Sequence, residues 1–122
     1  TESQGQWGVE VNFRHDVDFD RLEPMLENAI FRIAQEGLAN ACRHSQSTRV
    51  ELGLTQQDNS VHVCVQDWGI GFDPERVNER CFGLAGIRER ARVRGGKVVV
   101  VTQPQAGSQV NVELPLSAKH PD

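Results

Sequence analysis

At 122 residues the chain is the length of one domain, enough to bury a core but too short for a catalytic domain plus a separate sensor. Its 13 Lys and Arg against 17 Asp and Glu give a formal charge of -4, which argues against nucleic acid or an anionic membrane as the main partner. Three widely spaced cysteines exclude a complete disulfide framework and a CxxC metal site, and no apolar run approaches the roughly 20 residues that span a bilayer.

Trp7, Val9, Val11 and Phe13 alternate with polar residues and glycine, the period of a half-buried strand. From about Leu22 the period changes: Leu26, Ile30, Ile33, Gly37 and Ala41 recur at three and four residues and predict one amphipathic helix to about His44, with Pro24 tolerated in its first turn. Val50, Leu52 and Leu54, then Val61, Val63 and Val65, form two alternating runs around the polar segment 56–60, a hairpin signal. After Asp67 the pattern dissolves through Trp68-Gly69-Ile70-Gly71-Phe72-Asp73-Pro74 into a charged stretch read as a mobile loop. A helical period then restarts at Leu84, Ile87 and Ala91 and stops at Gly95-Gly96. Lys97 to Thr102 and Gln109 to Leu114 make a last pair of strands.

This order predicts a single domain over residues 1–122, with its core at about 7–116 and a polar tail at 117–122. Its class is a two-layer α/β sandwich: a mixed, mostly antiparallel sheet carrying helices on one face, the other face partly wet. A start without Met and the polar ending Ser-Ala-Lys-His-Pro-Asp read as the edges of a piece of a longer protein.

Three segments carry chemistry. Glu36, Asn40 and His44 stand at i, i+4 and i+8, one stripe of the first helix, with Arg43 beside them. Asp67 emerges at a strand end, followed by Gly69 and Gly71, so a carboxylate able to accept from an exocyclic amine sits beside a backbone that a flat ligand can approach. Gly83-Leu84-Ala85-Gly86 is read as opening the second long helix, where free N–H groups and the dipole favour phosphate. Singly, each has a bland reading: a solvated helix face, an Asp-Gly loop, a helix cap. Arg88-Glu89-Arg90 alone reads as an exposed face.

Taken together, in this order, they resemble a family. Glu36-Gly37-Leu38-Ala39-Asn40-Ala41-Cys42-Arg43-His44-Ser45 resembles the N box, Asp67 to Gly71 the first glycine box, and Gly83-Leu84-Ala85-Gly86-Ile87-Arg88-Glu89-Arg90-Ala91 the second glycine box. The set is that of the ATPase superfamily shared by gyrase, heat-shock chaperones, mismatch-repair ATPases and histidine kinases. Phe31-Arg32-Ile33-Ala34-Gln35-Glu36 and the later Gly-Leu-x-Gly-Ile-Arg-Glu-Arg-Ala are similar to the kinase class paired with LuxR-type response regulators. The resemblance covers about residues 7 to 116, including Gly107-Ser108-Gln109-Val110 with Ser for the commoner Thr.

The resemblance implies a sensor histidine kinase ATP-binding catalytic domain that takes ATP and Mg²⁺. Asn40 would help hold the ion and Asp67 would bind the adenine amine. Gly69 and Gly71 would shape the adenine pocket, while Arg43 (for the usual Lys) and His44 approach the phosphates. Gly83 with Gly86 would hinge and cap a lid at about Phe72 to Phe82, and Ser108 would support Asp67, directly or across a water. Glu36 is a site residue with two open roles, general base or not. Trp68, for the usual Asn, either packs beside the base or covers the lid hinge.

Partners implied are a histidine-bearing dimerisation domain of the same parent and a response regulator, with this piece monomeric and cytoplasmic on a parent that is membrane-anchored or not. His15-Asp16 resembles an acceptor pair, but it follows a strand-like run rather than lying on a dimerising helix, so the acceptor is expected elsewhere in the parent. The alternatives are an ATP-hydrolysing or anti-sigma-type serine kinase relative, and an interaction module that has lost nucleotide.

Overall fold

The computed structural model describes residues 2–4, 9–17, 22–73 and 79–116, with backbone alone for 2–4 and 79–82. The elements run β1 (Glu2–Gln4), β2 (Glu10–Asp16), α1 (Pro24–His44), β3 (Arg49–Gln57), β4 (Ser60–Asp67), α2 (Glu79–Val93), β5 (Lys97–Thr102) and β6 (Ser108–Pro115).

Six strands form one sheet in the order β1-β2-β3-β4-β6-β5. β2 pairs parallel with β3 while every other neighbouring pair is antiparallel, so α1 is the crossover of a β-α-β unit. The sheet is mixed and mostly antiparallel, as its alternating strands predict. β1 carries no alternation that would announce it, and Trp7, expected in the first strand, lies outside the described residues.

The pleat sorts the strands into two faces. Val61, Val63 and Val65 of β4 and Val110, Val112 and Leu114 of β6 are buried, and all but Val65 join Leu26 and Ile33 of α1 and Leu84, Ile87 and Ala91 of α2 in one cluster. Val65 closes a second cluster with Val9, Ala41 and Val50. On the other face, His62, Lys97 and Glu113 form a polar group and Val99 and Val101 are exposed, so that face carries no helix layer among the described residues. No helix of the described residues is long and apolar enough to cross a membrane.

Local chemistry sets the boundaries. Pro24 occupies the first turn of α1 and the Glu23 carboxylate caps the Met25 N–H at 3.2 Å. The β3–β4 hairpin is tighter than the five-residue turn expected: Gln57 pairs with Ser60, leaving Asp58 and Asn59 at the tip, with Asp58 at φ 53°, a conformation Asp tolerates. α2 ends in a double closure, Gly96 N–H to Ala91 O at 2.8 Å and Gly95 N–H to Arg92 O at 3.0 Å.

Candidate functional site: a cleft between the helices and a carboxylate at the strand ends

α1 supplies the polar stripe. Asn40 is only 6% exposed, whereas Glu36 and His44 are half-buried and Arg43 is exposed. These four residues, with Ala39 and with Gly83 and Gly86 of α2, line a cleft of about 560 Å³. The structure thus gathers six of the sequence-identified residues around one cavity.

The second glycine segment does not open its helix. α2 begins at Glu79, so Gly83 and Gly86 lie inside it, where N–H groups have helical partners, and the reading of Gly83 as a helix-opening phosphate cradle is corrected. Their use is space. A Cβ on Gly83 would stand 2.4 Å from Asn40 Nδ2, and one on Gly86 would stand 3.0 Å from Glu36 Oε2. The same boundary shortens the expected loop of 72–82, because 79–82 are helical, while 74–78 lie outside the described residues.

Asp67 ends β4 and is 3% exposed. Its Oδ2 accepts from the Ser108 hydroxyl at 2.6 Å and its Oδ1 from the Gly69 N–H at 3.0 Å. The Ser108 link is direct, with no space for a water between the two oxygens. A carboxylate's two oxygens together offer about four acceptor positions.

Gly69 and Gly71 earn their places against protein atoms. A Cβ on Gly69 would lie 1.9 Å from Ser45 O, and Gly71 combines φ 64° with a Cβ position 1.9 Å from Gln103 O. The loop is held on both sides, by Ile70 N–H to Ser45 O at 2.8 Å, Gly107 N–H to Gly69 O at 3.0 Å and Phe72 N–H to Thr102 Oγ1 at 3.1 Å. Ser45 ends the N box without a role read for it and Ser47 lies just beyond; the buried Ser47 hydroxyl accepts from the Trp68 N–H at 3.3 Å, and the Ser-x-Ser spacing that runs out of the box is the only signal the two offer.

Trp68 is 46% exposed and stacks under the Arg49 guanidinium, 3.9 Å from ring centroid to guanidinium carbon. It borders recesses lined by Glu10, Ser47 and Thr48 and by Gly107 and Ser108, outside the cleft around Asn40. Cys42, two residues after Asn40 on α1, has its thiol pushed up from the usual range, first by burial and then by the charge of Asp67.

Glu36 reaches across the helix pair: its Oε1 accepts from Arg90 Nε at 3.1 Å and Nη2 at 3.0 Å. Its Oε2 is buried without a hydrogen-bond partner, the sole such side-chain atom among the described residues. His15 lies in β2 with its ring 5.3 Å from that of Phe13, on a strand rather than a dimerising helix.

Comparison with known proteins finds similar chains and a similar fold. The chain is 31% identical over 112 residues to the signal transduction histidine-protein kinase/phosphatase DegS of Brevibacillus brevis, covering 92% of this chain and 29% of that protein. It is 34% identical over 109 residues to the sensor protein VraS of Staphylococcus saprophyticus, covering 89% and 31%. The chain therefore spans under a third of the length of these relatives. In fold it is similar to the histidine kinase domain of the Erythrobacter litoralis blue-light activated histidine kinase, with TM-score 0.66, 22% identity and coverage of 87% of this chain and 52% of that one. A second structure of that kinase gives TM-score 0.72 at 22% identity, over 88% and 36%. The family described as histidine kinase-, DNA gyrase B-, and HSP90-like ATPase matches residues 25–118, and the chain belongs to it.

Proposed function

We propose that this chain is the ATP-binding catalytic domain of a sensor histidine kinase, which presents the γ-phosphate of ATP to a histidine on a separate dimerisation domain for relay to a response regulator. The observation that carries the reading is the cleft in which α1 brings Glu36, Asn40, Arg43 and His44 against Gly83 and Gly86 of α2. The relatives named as histidine kinase and sensor protein support the kinase reading over a free-standing ATPase.

In this reading the Asp67 carboxylate accepts the adenine amine, with Ser108 and the Gly69 N–H fixing its orientation. Gly69 and Gly71 shape the pocket through the packing of their loop. Arg43 neutralises phosphate charge at the far end, His44 approaches the phosphates beside it, and the Asn40 amide serves as a metal ligand. No three or more His, Cys, Asp and Glu among the described residues form a cluster that would hold a metal alone. A single amide and the unpartnered Glu36 Oε2 fit Mg²⁺, which keeps most of its water and takes its main ligands from phosphate. When bound, the ion neutralises charge between the phosphate oxygens. Catalysis by the protein is then positioning and charge stabilisation, since phosphoryl transfer asks little covalent chemistry of its residues. The piece is read as a monomer and as cytoplasmic, its partners being ATP, the dimerisation domain and the regulator.

The test is to mix the chain with the histidine-bearing helical segment of its parent and γ-labelled ATP. Acid-labile label on that segment is the expected result. Rapid phosphate release by the chain alone, abolished by Glu36→Ala, would instead assign it to the ATPases.

A further inference from the structure

Two glycines of α2 face two polar residues of α1 in reverse order, Gly83 against Asn40 and Gly86 against Glu36, so the helices run antiparallel here, close enough that a Cβ would crowd the Asn40 amide at one and press on Glu36 Oε2 at the other. One turn beyond Gly86, Arg90 closes the seam on Glu36 through Nε and Nη2. This fork takes up Oε1 alone. Oε2 is left buried and unpartnered over Gly86, at the wall of the cleft.

A buried carboxylate oxygen without a donor is unfavourable unless a ligand supplies one. Arginine suits the task of fixing the other oxygen, because its planar fork holds a carboxylate at a set angle where a lysine acts as a point charge. The pair is partly exposed, so its contribution to stability is small and its value lies in geometry.

From this arrangement we propose that Arg90 is a positioning residue of the nucleotide site: it turns Glu36 so that Oε2 accepts a hydrogen bond from a water on the nucleotide-bound divalent cation. Glu36 on this account is an oriented acceptor whose second oxygen is already committed to Arg90. The inference rests on the ATP-site reading and assigns a role to a side chain that the sequence presents as a plain exposed helix residue.

The experiment titrates ATP into wild-type chain, Arg90→Met, Arg90→Lys and Glu36→Gln, each with Mg²⁺ and with EDTA. In wild type, Mg²⁺ strengthens binding. Arg90→Met and Glu36→Gln each lower that gain about tenfold, and a chain carrying both substitutions, titrated alongside, loses no more of it than either single variant. Arg90→Lys recovers part of the gain, a rescue that a general packing role would not give. An Arg90→Met chain that keeps the full Mg²⁺ gain, or loses affinity equally with and without the ion, overturns the positioning role while leaving the ATP site standing. A wild-type chain that binds no ATP overturns both. If Arg90→Met does not fold, as read by circular dichroism, Arg90→Lys with Glu36→Gln decides: equal Mg²⁺ gains in wild type and both variants refute the inference.

Discussion

The hydroxyl of Ser108 donates to Oδ2 of Asp67 at 2.6 Å, joining the end of β4 to the start of β6 at the point where the two residues are cross-strand partners. Both are buried, so the register of the sheet delivers a carboxylate to the site already oriented on one side. Removing the hydroxyl in Ser108→Ala leaves that oxygen without its protein donor, an expected cost of about 1–3 kcal/mol in stability. ATP affinity falls alongside it, and Ser108→Thr restores both. Urea midpoints and calorimetric titration of the three proteins check this.

Alanine at the glycines is expected to separate loop packing from site packing. Gly69→Ala drives a Cβ into Ser45 O and destabilises the whole domain, lowering the melting temperature by more than about 5 °C. Gly83→Ala adds a better helix former inside α2, a gain of about 1 kcal/mol that offsets the crowding of Asn40. Its melting temperature therefore moves little while ATP affinity drops about tenfold or more. Thermal unfolding with and without ATP distinguishes the two.

Alkaline pH is expected to weaken the fold through Cys42 and Cys64. Burial is the leading cause that raises both thiols in the folded state, with Asp67 adding to it at Cys42. A group whose folded value is raised contributes its stability below its unfolded value, here near 9.0, and loses it as pH climbs through the folded one. Stability measured by urea unfolding should be flat from pH 7 to about 8.5 and decline above it. The decline should shrink in the Cys42→Ala, Cys64→Ala double variant.

Much of the fold was legible because its signals are local. The apolar period from Leu26 to Ala41 gives α1, and the alternation in β4 and β6 forces Val65 and Val110, and with them Asp67 and Ser108, onto the helix-bearing face. The polar stripe of Glu36, Asn40 and His44 follows from the same period. The start of α2 was hidden because residues 79–83 carry no apolar repeat and Gly83 imitates a helix opening. The parallel pairing of β2 with β3 is a choice among neighbours that no single strand encodes. The Glu36–Arg90 bridge joins residues 54 apart through the docking of two helices, and each partner alone looks like surface charge.

Titration of ATP and GTP into the wild-type chain and Asp67→Asn in the presence of Mg²⁺ tests the central claim most directly. Guanine offers a carbonyl where adenine offers an amine, so a buried carboxylate should select ATP by about a hundredfold or more. The account predicts saturable ATP binding in wild type, weakened about ten to a hundredfold in Asp67→Asn with most of the discrimination lost. Equal affinity for the two nucleotides, or an Asp67→Asn chain that binds ATP as tightly as wild type, would contradict it.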